Sequence, residues 1–233
     1  MTAPPRITRL EPLGPRGLEV LVHLEGAEPF EVTLEAIERS RLGVGDRLSD
    51  DARKELAELD ADVRVREAAL HLLSFRARTR KELETRLRQK GFPVGRIRPC
   101  LDSLEGKGLL DDEAAAAAFV RDRLRHRPRG RSRLVSELRA KGVDADLASE
   151  ATRQVFEDEE VTDAGLAREG AESWMGRQGA ATLAALADDA HSPERDKARR
   201  RLYGYLARRG FRSEALTAAL EHAERIARSR SPG

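Results

Sequence analysis

The sequence has little that could form a disulfide, an aromatic core or a membrane span. Cys100 is the single cysteine among 233 residues, so no internal disulfide can form and a reducing compartment is expected. Aromatic residues make up only 4% of the chain, which excludes one wide core rich in Phe and Trp. No apolar run approaches the roughly 20 residues that a membrane helix needs, and residues 1–10 lack the apolar stretch of a signal peptide. We therefore expect a cytoplasmic protein that makes no membrane contact.

The residues that catalysis or metal binding would need are scattered. The five histidines show no metal-ligand spacing, and neither a GxxxxGK[ST] phosphate loop nor a dinucleotide-binding fingerprint occurs. Asp111-Asp112 is better explained as the start of a helix, and Asp158-Glu159-Glu160 as a solvated acidic turn. Cys100 is interpreted as a small core residue. We expect no catalytic residues, no cofactor and no metal, and therefore a protein that is not an enzyme.

Charge is abundant and strongly segregated, although the net charge is only +2. Residues 64–98 carry 11 lysines and arginines against 3 acidic residues, and residues 121–141 carry 9 against 2. Residues 194–212 carry 8 against 2, while residues 28–62 and 144–172 are acidic. Basic segments of this kind attract polyanions even when the whole chain is nearly neutral. Any single segment could equally be a solvated helix face, but the recurrence of all three favours binding.

Three segments repeat one pattern around a step from Lys or Arg to Gly. Each has two leucines four residues apart, then the basic residue, the glycine and an apolar residue; the segments are 83–92, 134–143 and 202–211. Leucines at this spacing form one helical stripe, the basic residue suits the helix C-terminus, and the glycine suits a left-handed position that ends the helix. The glycines Gly91, Gly142 and Gly210 are 51 and 68 residues apart, so the third copy is longer.

These patterns predict a mainly α-helical protein with three tandem three-helix repeats in an elongated curved array, behind a small N-terminal β-hairpin and helix segment. The predicted divisions are a strand-turn-strand with short helices at 1–60, repeat 1 at 61–110, repeat 2 at 111–156, and repeat 3 at 157–228 with an insertion near 176–193. Separate helices are expected at about 50–59 and 62–75. Pro99 indicates that the last helix of repeat 1 starts late or is kinked.

The basic residues that accompany the repeats are the candidate binding site. A run of alternate arginines from Arg121 to Arg133 is expected to leave its helix near Pro128 and continue as a loop, where guanidinium groups suit phosphate or carboxylate contact. A loop that serves only solubility is the alternative. The candidates for binding an extended anionic partner such as DNA are Arg76, Arg78, Arg80, Lys81, Arg88, Lys90, Arg123, Arg125, Arg127, Arg129, Arg131, Arg133, Lys141, Arg199, Arg200, Arg201, Arg208 and Arg209.

Several stretches, in their order and spacing, resemble the RecX family of bacterial regulators of the RecA recombinase. The resemblance covers about residues 60–223 and lies in residues 69–83, 90–92, 108–112, 137–143 and 205–211. It implies tandem three-helix repeats that bind the RecA–DNA filament and inhibit ATP hydrolysis and strand exchange, in DNA repair, recombination and the SOS response. The insertion near 176–193 and Pro99 depart from the family pattern, and no catalytic residue is carried over.

The function expected is therefore modulation, as an inhibitor, of RecA. The expected partners are the RecA filament and its single-stranded DNA, with direct DNA binding left open, and the chain is expected to be a monomer. One alternative is a stand-alone DNA-binding protein that uses its arginine-rich loops; it predicts tight duplex binding without RecA. The other is an interaction scaffold without nucleic-acid contact, which predicts RecA binding that is indifferent to DNA.

Overall fold

The computed structural model describes residues 3–126, 128–188 and 190–230. Within these ranges the chain forms three strands and eleven helices, which confirms the expected mainly α-helical class with a small N-terminal sheet. The chain divides into two compact units, residues 1–110 and residues 111–233. The elements are β1 (Ile7–Leu13), β2 (Glu19–Leu24), β3 (Ala27–Thr33), α1 (Leu34–Ser40), α2 (Asp50–Phe75), α3 (Arg80–Gln89), α4 (Val94–Gly106), α5 (Asp112–His126), α6 (Arg131–Ala140), α7 (Ala145–Asp158), α8 (Asp163–Met175), α9 (Ala180–Ala187), α10 (Pro193–Ala207) and α11 (Ser213–Arg230).

The N-terminal strands form an antiparallel sheet in the order β1-β2-β3. Val20 pairs with Val32 across the second strand pair, and Gly26 supplies the positive φ that the turn between these strands requires. One face of the sheet buries apolar side chains against α1 and the first half of α2, where Leu56 is fully buried. The sheet is therefore stabilised by the helices that follow it, since a small sheet alone would be marginal.

The expectation of two helices at about 50–59 and 62–75 is corrected, because α2 runs without a break through 26 residues. No glycine or proline interrupts this stretch, and Asp60 is held in mid-helix by tertiary contacts rather than ending a turn. Its carboxylate accepts the Thr33 backbone N–H at 2.6 Å and the Arg64 Nε–H at 2.8 Å. The first half of α2 thus packs in the core beneath the sheet, and the second half packs in the core that it forms with α3 and α4.

The repeated pattern ends a helix in the same way three times. The glycines Gly91, Gly142 and Gly210 have φ values of 93°, 88° and 86°, in the left-handed region that was predicted. The N–H of the apolar residue after each glycine donates to the carbonyl of the second leucine of the stripe, as from Phe92 to Leu87 at 3.2 Å. This hydrogen bond closes a Schellman motif. All six stripe leucines are fully buried: Leu83, Leu87, Leu134, Leu138, Leu202 and Leu206.

Pro99 lies at the sixth position of α4, which begins at Val94, so the expectation that this helix starts late is corrected. Proline has no N–H for the carbonyl four residues earlier, which here belongs to Gly95. Gly95 and Pro99 are both exposed, so water can reach this part of the helix. The inner face of α4 keeps its apolar contacts through Ile97, Leu101 and Leu104.

The second unit holds α5 to α11 around one apolar core. The longer third copy contains a short extra helix, α9, whose Leu186 is buried in that core. The helix expected from about residue 157 begins only at Asp163, because α7 continues to Asp158 and Thr162 caps α8 through the N–H of Gly165. The predicted residue divisions and the elongated, curved arrangement of the repeats stay predictions.

Candidate functional site

The candidate cations of the first unit are divided between paired and free side chains. Arg76 contacts Glu82 at 3.2 Å, and Arg80 contacts Asp102 at 2.6 Å and also Glu105. Hydrogen bonding to Asp102 raises the pKa of Arg80, while burial, followed by the charge of Arg76, lowers the pKa of Arg78. The remaining candidates are exposed and form no ion pair within the described ranges: Lys81, Arg88 and Lys90.

Three arginines of the alternating run contact one carboxylate, that of Glu137. Arg133 contacts it at 2.7 Å, Arg123 at 3.5 Å, and Arg129 forms a still closer ion pair. The Glu137 side chain is only 18% exposed, so the carboxylate end of these contacts is largely shielded from water. Three guanidinium groups therefore share one negative charge inside the second unit.

The expectation that residues 128–133 form a loop is corrected, because α6 begins at Arg131. Arg131 and Arg133 are consequently helical. The Arg131 backbone N–H donates to Asp163 Oδ1 at 2.9 Å, and the Arg131 guanidinium lies 4.5 Å from the centroid of the Phe156 ring. The Asp163 carboxylate, which belongs to α8, thereby caps α6. The N-cap residue, Gly130, has no side chain that could accept such a hydrogen bond.

Other members of the run have different surroundings. The Arg123 guanidinium and the Lys141 amine lie 4.6 and 5.2 Å from the centroid of the Phe119 ring, so both also make cation–π contacts. Arg125 is exposed at the end of α5 and forms no ion pair within the part of the chain that the structure describes. Arg127 lies outside the described residues.

The start of α6 meets the turn between α10 and α11 with almost no space between the two backbones. The Gly130 N–H donates to the Arg209 carbonyl at 2.9 Å, and the Ser132 hydroxyl donates to the Gly210 carbonyl at 2.7 Å. A Cβ added at Gly130 would overlap the Gly210 carbonyl and lie 2.6 Å from its carbon. Repeat 2 and repeat 3 thus contact each other at Gly130 and Gly210. The sequence around each glycine does not indicate this contact.

The third basic segment has both an internal ion pair and a free surface. Arg199 forms an ion pair with the buried Glu224, which also contacts Arg195 at 3.4 Å. The Arg209 guanidinium stacks 4.4 Å from the centroid of the Tyr205 ring and donates to the Pro128 carbonyl at 3.2 Å. The other cations here are exposed, form no ion pair within the described ranges, and are named the α10 surface: Lys197, Arg200, Arg201, Arg208 and Arg212.

Sequence reasoning missed Lys197 and Arg212 as members of this surface, and Glu137 and Glu224 as the groups that neutralise other candidates. The Arg133–Glu137 spacing of four residues is a helical signal that was available. Glu224 pairs with arginines 25 and 29 residues away, and no local pattern predicts such a contact.

Other features of the described residues concern metal binding, the cysteine thiol and membrane spans. Among them, no group of three or more His, Cys, Asp and Glu side chains is placed to hold a metal ion. Burial raises the pKa of the Cys100 thiol, which keeps it protonated and a poor nucleophile near neutral pH. Within the same ranges, no helix is long and apolar enough to cross a bilayer.

Comparison with known proteins agrees with the repeats that the structure contains. Residues 66–104 match the family model of the first three-helix domain of RecX, and residues 111–151 match the model of its second three-helix domain. These ranges contain the Gly91 and Gly142 turns, respectively.

Curated relatives and solved structures lead to the same family. A regulatory protein RecX of Mycolicibacterium vanbaalenii is 38% identical over 146 residues, which are 63% of this chain and 74% of the relative. That of Mycolicibacterium smegmatis is 40% identical over 143 residues, which are 61% and 70% of the two chains. A crystal structure of regulatory protein RecX shares the fold, with a TM-score of 0.66 at 21% identity over 93% of this chain and 99% of that one. This chain therefore belongs to the RecX family of regulatory proteins.

Proposed function

We propose that the chain is an inhibitory modulator of RecA that binds the RecA–DNA filament and slows its ATP hydrolysis and strand exchange. The observation that carries the proposal is the match of two consecutive three-helix units to RecX domains, together with about 40% identity to a curated regulatory protein RecX. RecA is proposed as the partner because the chain resembles the RecX family of RecA regulators. Cations left free of internal carboxylates supply a means of contacting a charged filament.

The arginine-rich run supports the filament proposal better than the alternative of a DNA-binding loop. Arg129 and Arg131 are half-buried and have carboxylate partners inside the protein, as Arg133 also does. Turning Arg131 toward a phosphate would take this cation from Asp163, and withdrawing the three arginines that share Glu137 would leave that carboxylate unpaired. Either change costs free energy at part-buried positions. Free cations on several helices, by contrast, can contact a partner without this loss.

The proposal predicts a lower rate of RecA ATP hydrolysis on single-stranded DNA. The chain should be added after filaments have formed, at amounts well below those of RecA, and the rate is expected to fall severalfold. Excess free single-stranded DNA serves as the control, because a protein that only sequesters DNA would lose its effect as free DNA is added. An unchanged rate at equimolar amounts would rule the proposal out.

A further inference from the structure

We propose that the α10 surface is a binding site for single-stranded DNA, with its cations on the phosphates and the exposed Tyr203 ring stacked on a base. The inference rests on the proposed function in one respect, since a RecA filament is what would bring a single strand to the protein. It goes further by assigning the direct contact with DNA to one surface of the third repeat.

The first support is the distribution of free charge. Lys197, Arg200 and Arg201 lie on one face of α10, and Arg208 continues that face at the C-cap of the helix, since the spacings are three, one and seven residues. None of them forms an ion pair within the described ranges. In the corresponding segments of the first two repeats most of the described arginines have carboxylate partners, whereas the α10 surface brings several unpaired cations together.

The second support is the shape of this surface, which has a groove on each side of α10. One groove, of about 620 Å³, lies between the start of α6 and the turn from α10 to α11. The other, of about 550 Å³, lies between α8 and α10. Among the described residues no aspartate or glutamate lines either groove, so a phosphate that enters meets no carboxylate from them.

Arg208 connects the two grooves, because its side chain lines both. Gly204, one helical turn earlier, leaves the space that this side chain occupies: a Cβ there would lie 3.2 Å from Arg208 Nη1. Glycine inside a helix costs about 0.5–1 kcal/mol relative to alanine, so its presence needs a compensating reason. Room for a guanidinium lying across the helix is such a reason.

The third support is an aromatic ring within a basic groove. Tyr203 is 51% exposed and shares the first groove with Arg208 and Arg212. Tyr205, by comparison, already has the guanidinium groups of Arg177 and Arg209 near its ring, at 5.5 and 4.4 Å from the centroid. An uncovered ring among cations suits the stacking of an unpaired base, whereas the bases of a duplex are already stacked on one another. This feature favours a single strand over a duplex.

The test is fluorescence anisotropy of a labelled deoxythymidine oligonucleotide with the full chain in the absence of RecA. The triple change Arg200→Ala, Arg201→Ala and Arg208→Ala is expected to weaken binding on the order of tenfold to a hundredfold. It should also reduce the slope of log affinity against log salt by about 2, since each phosphate contact on a single strand contributes about 0.7. The matched control removes three exposed arginines that line neither groove: Arg139→Ala, Arg168→Ala and Arg225→Ala.

Tyr203 separates stacking from charge. Tyr203→Ala is expected to weaken binding about tenfold, and Tyr203→Phe to retain it, because the phenylalanine ring keeps its π face. Equal loss in the α10 triple variant and in its control would overturn the site. Equal affinity for duplex and single strand, with no effect of Tyr203→Ala, would overturn the single-strand assignment.

RecA ATPase measured with the same proteins separates this inference from the proposed function. If the wild-type chain binds no oligonucleotide yet slows RecA, the α10 surface is not a DNA site and the proposed function stands. If the chain binds the oligonucleotide through α10 but leaves RecA unaffected, the site stands and the proposed function fails.

Discussion

Replacing Gly210 by alanine is expected to destabilise the second unit by about 3 kcal/mol, whereas the same change at Gly91 is expected to destabilise the first unit by about 1 kcal/mol. Both glycines end a helix with nearly the same positive φ, 86° and 93°. They differ in what a Cβ would meet. At Gly91 no described atom lies within 4 Å of the added Cβ, while at Gly210 the Cβ would overlap Arg133 Cβ and lie 2.7 Å from the Arg133 backbone nitrogen.

Because the obstacle at Gly210 is backbone of α6, relief requires repeat 2 and repeat 3 to move apart and give up hydrogen bonds of Gly130 and Ser132. Thermal unfolding of the full chain measures the difference. A loss of about 3 kcal/mol corresponds to a midpoint lowered by roughly 6–12 °C for a protein of this size. Gly91→Ala is the control, since Gly91 shares the positive φ without the close contact. Equal losses of stability in the two variants would mean that the contact between α6 and the α10–α11 turn does not exist.

Replacing Glu224 by alanine is expected to cost about 3 kcal/mol of folding stability. The carboxylate is 6% exposed on α11 and pairs with Arg195 and Arg199 of α10. The Arg195 side chain is itself only 13% exposed, so truncating Glu224 removes a buried carboxylate that neutralises it. Glu224→Gln should cost less, because the amide oxygen can still accept a hydrogen bond.

The matched control for Glu224 is Glu150→Ala on α7. Glu150 also pairs with an arginine, Arg153, but both side chains are about half exposed. Water and salt screen that pair, so its loss should leave the unfolding midpoint almost unchanged. Urea unfolding of the two variants gives the comparison. A small effect at Glu224 would show that the α10–α11 pairing does not depend on this carboxylate.

The repeat architecture could be predicted because its signals are local. The leucine stripe, the basic residue and the glycine of each copy lie within ten residues, and each has a direct conformational reason. The continuity of α2 could not be predicted in the same way. The expected break falls at Asp60, whose carboxylate accepts hydrogen bonds from a backbone N–H of β3 and from the Arg64 side chain within the continuous helix.

The candidate site was predicted only in part. Whether an arginine has a carboxylate partner depends on the tertiary structure, which the sequence pattern does not show. Arg80 and Arg200 occupy similar basic segments, yet Arg80 has two acidic partners 22 and 25 residues away while Arg200 has none within the described ranges. Which arginines are neutralised depends on contacts between helices. The sequence therefore indicates three basic segments, and the folded second unit distinguishes the α10 surface from the rest.

Co-sedimentation with RecA filaments assembled on single-stranded DNA tests the central claim most directly. The full chain is expected to pellet with the filaments, and the pelleted amount should reach a plateau at a fixed ratio of chain to RecA. It should stay in the supernatant when RecA and DNA are omitted. Naked single-stranded DNA, sedimented without RecA, shows how much of the pelleted chain is due to DNA alone. A chain that stays in the supernatant in the presence of intact filaments would contradict the account.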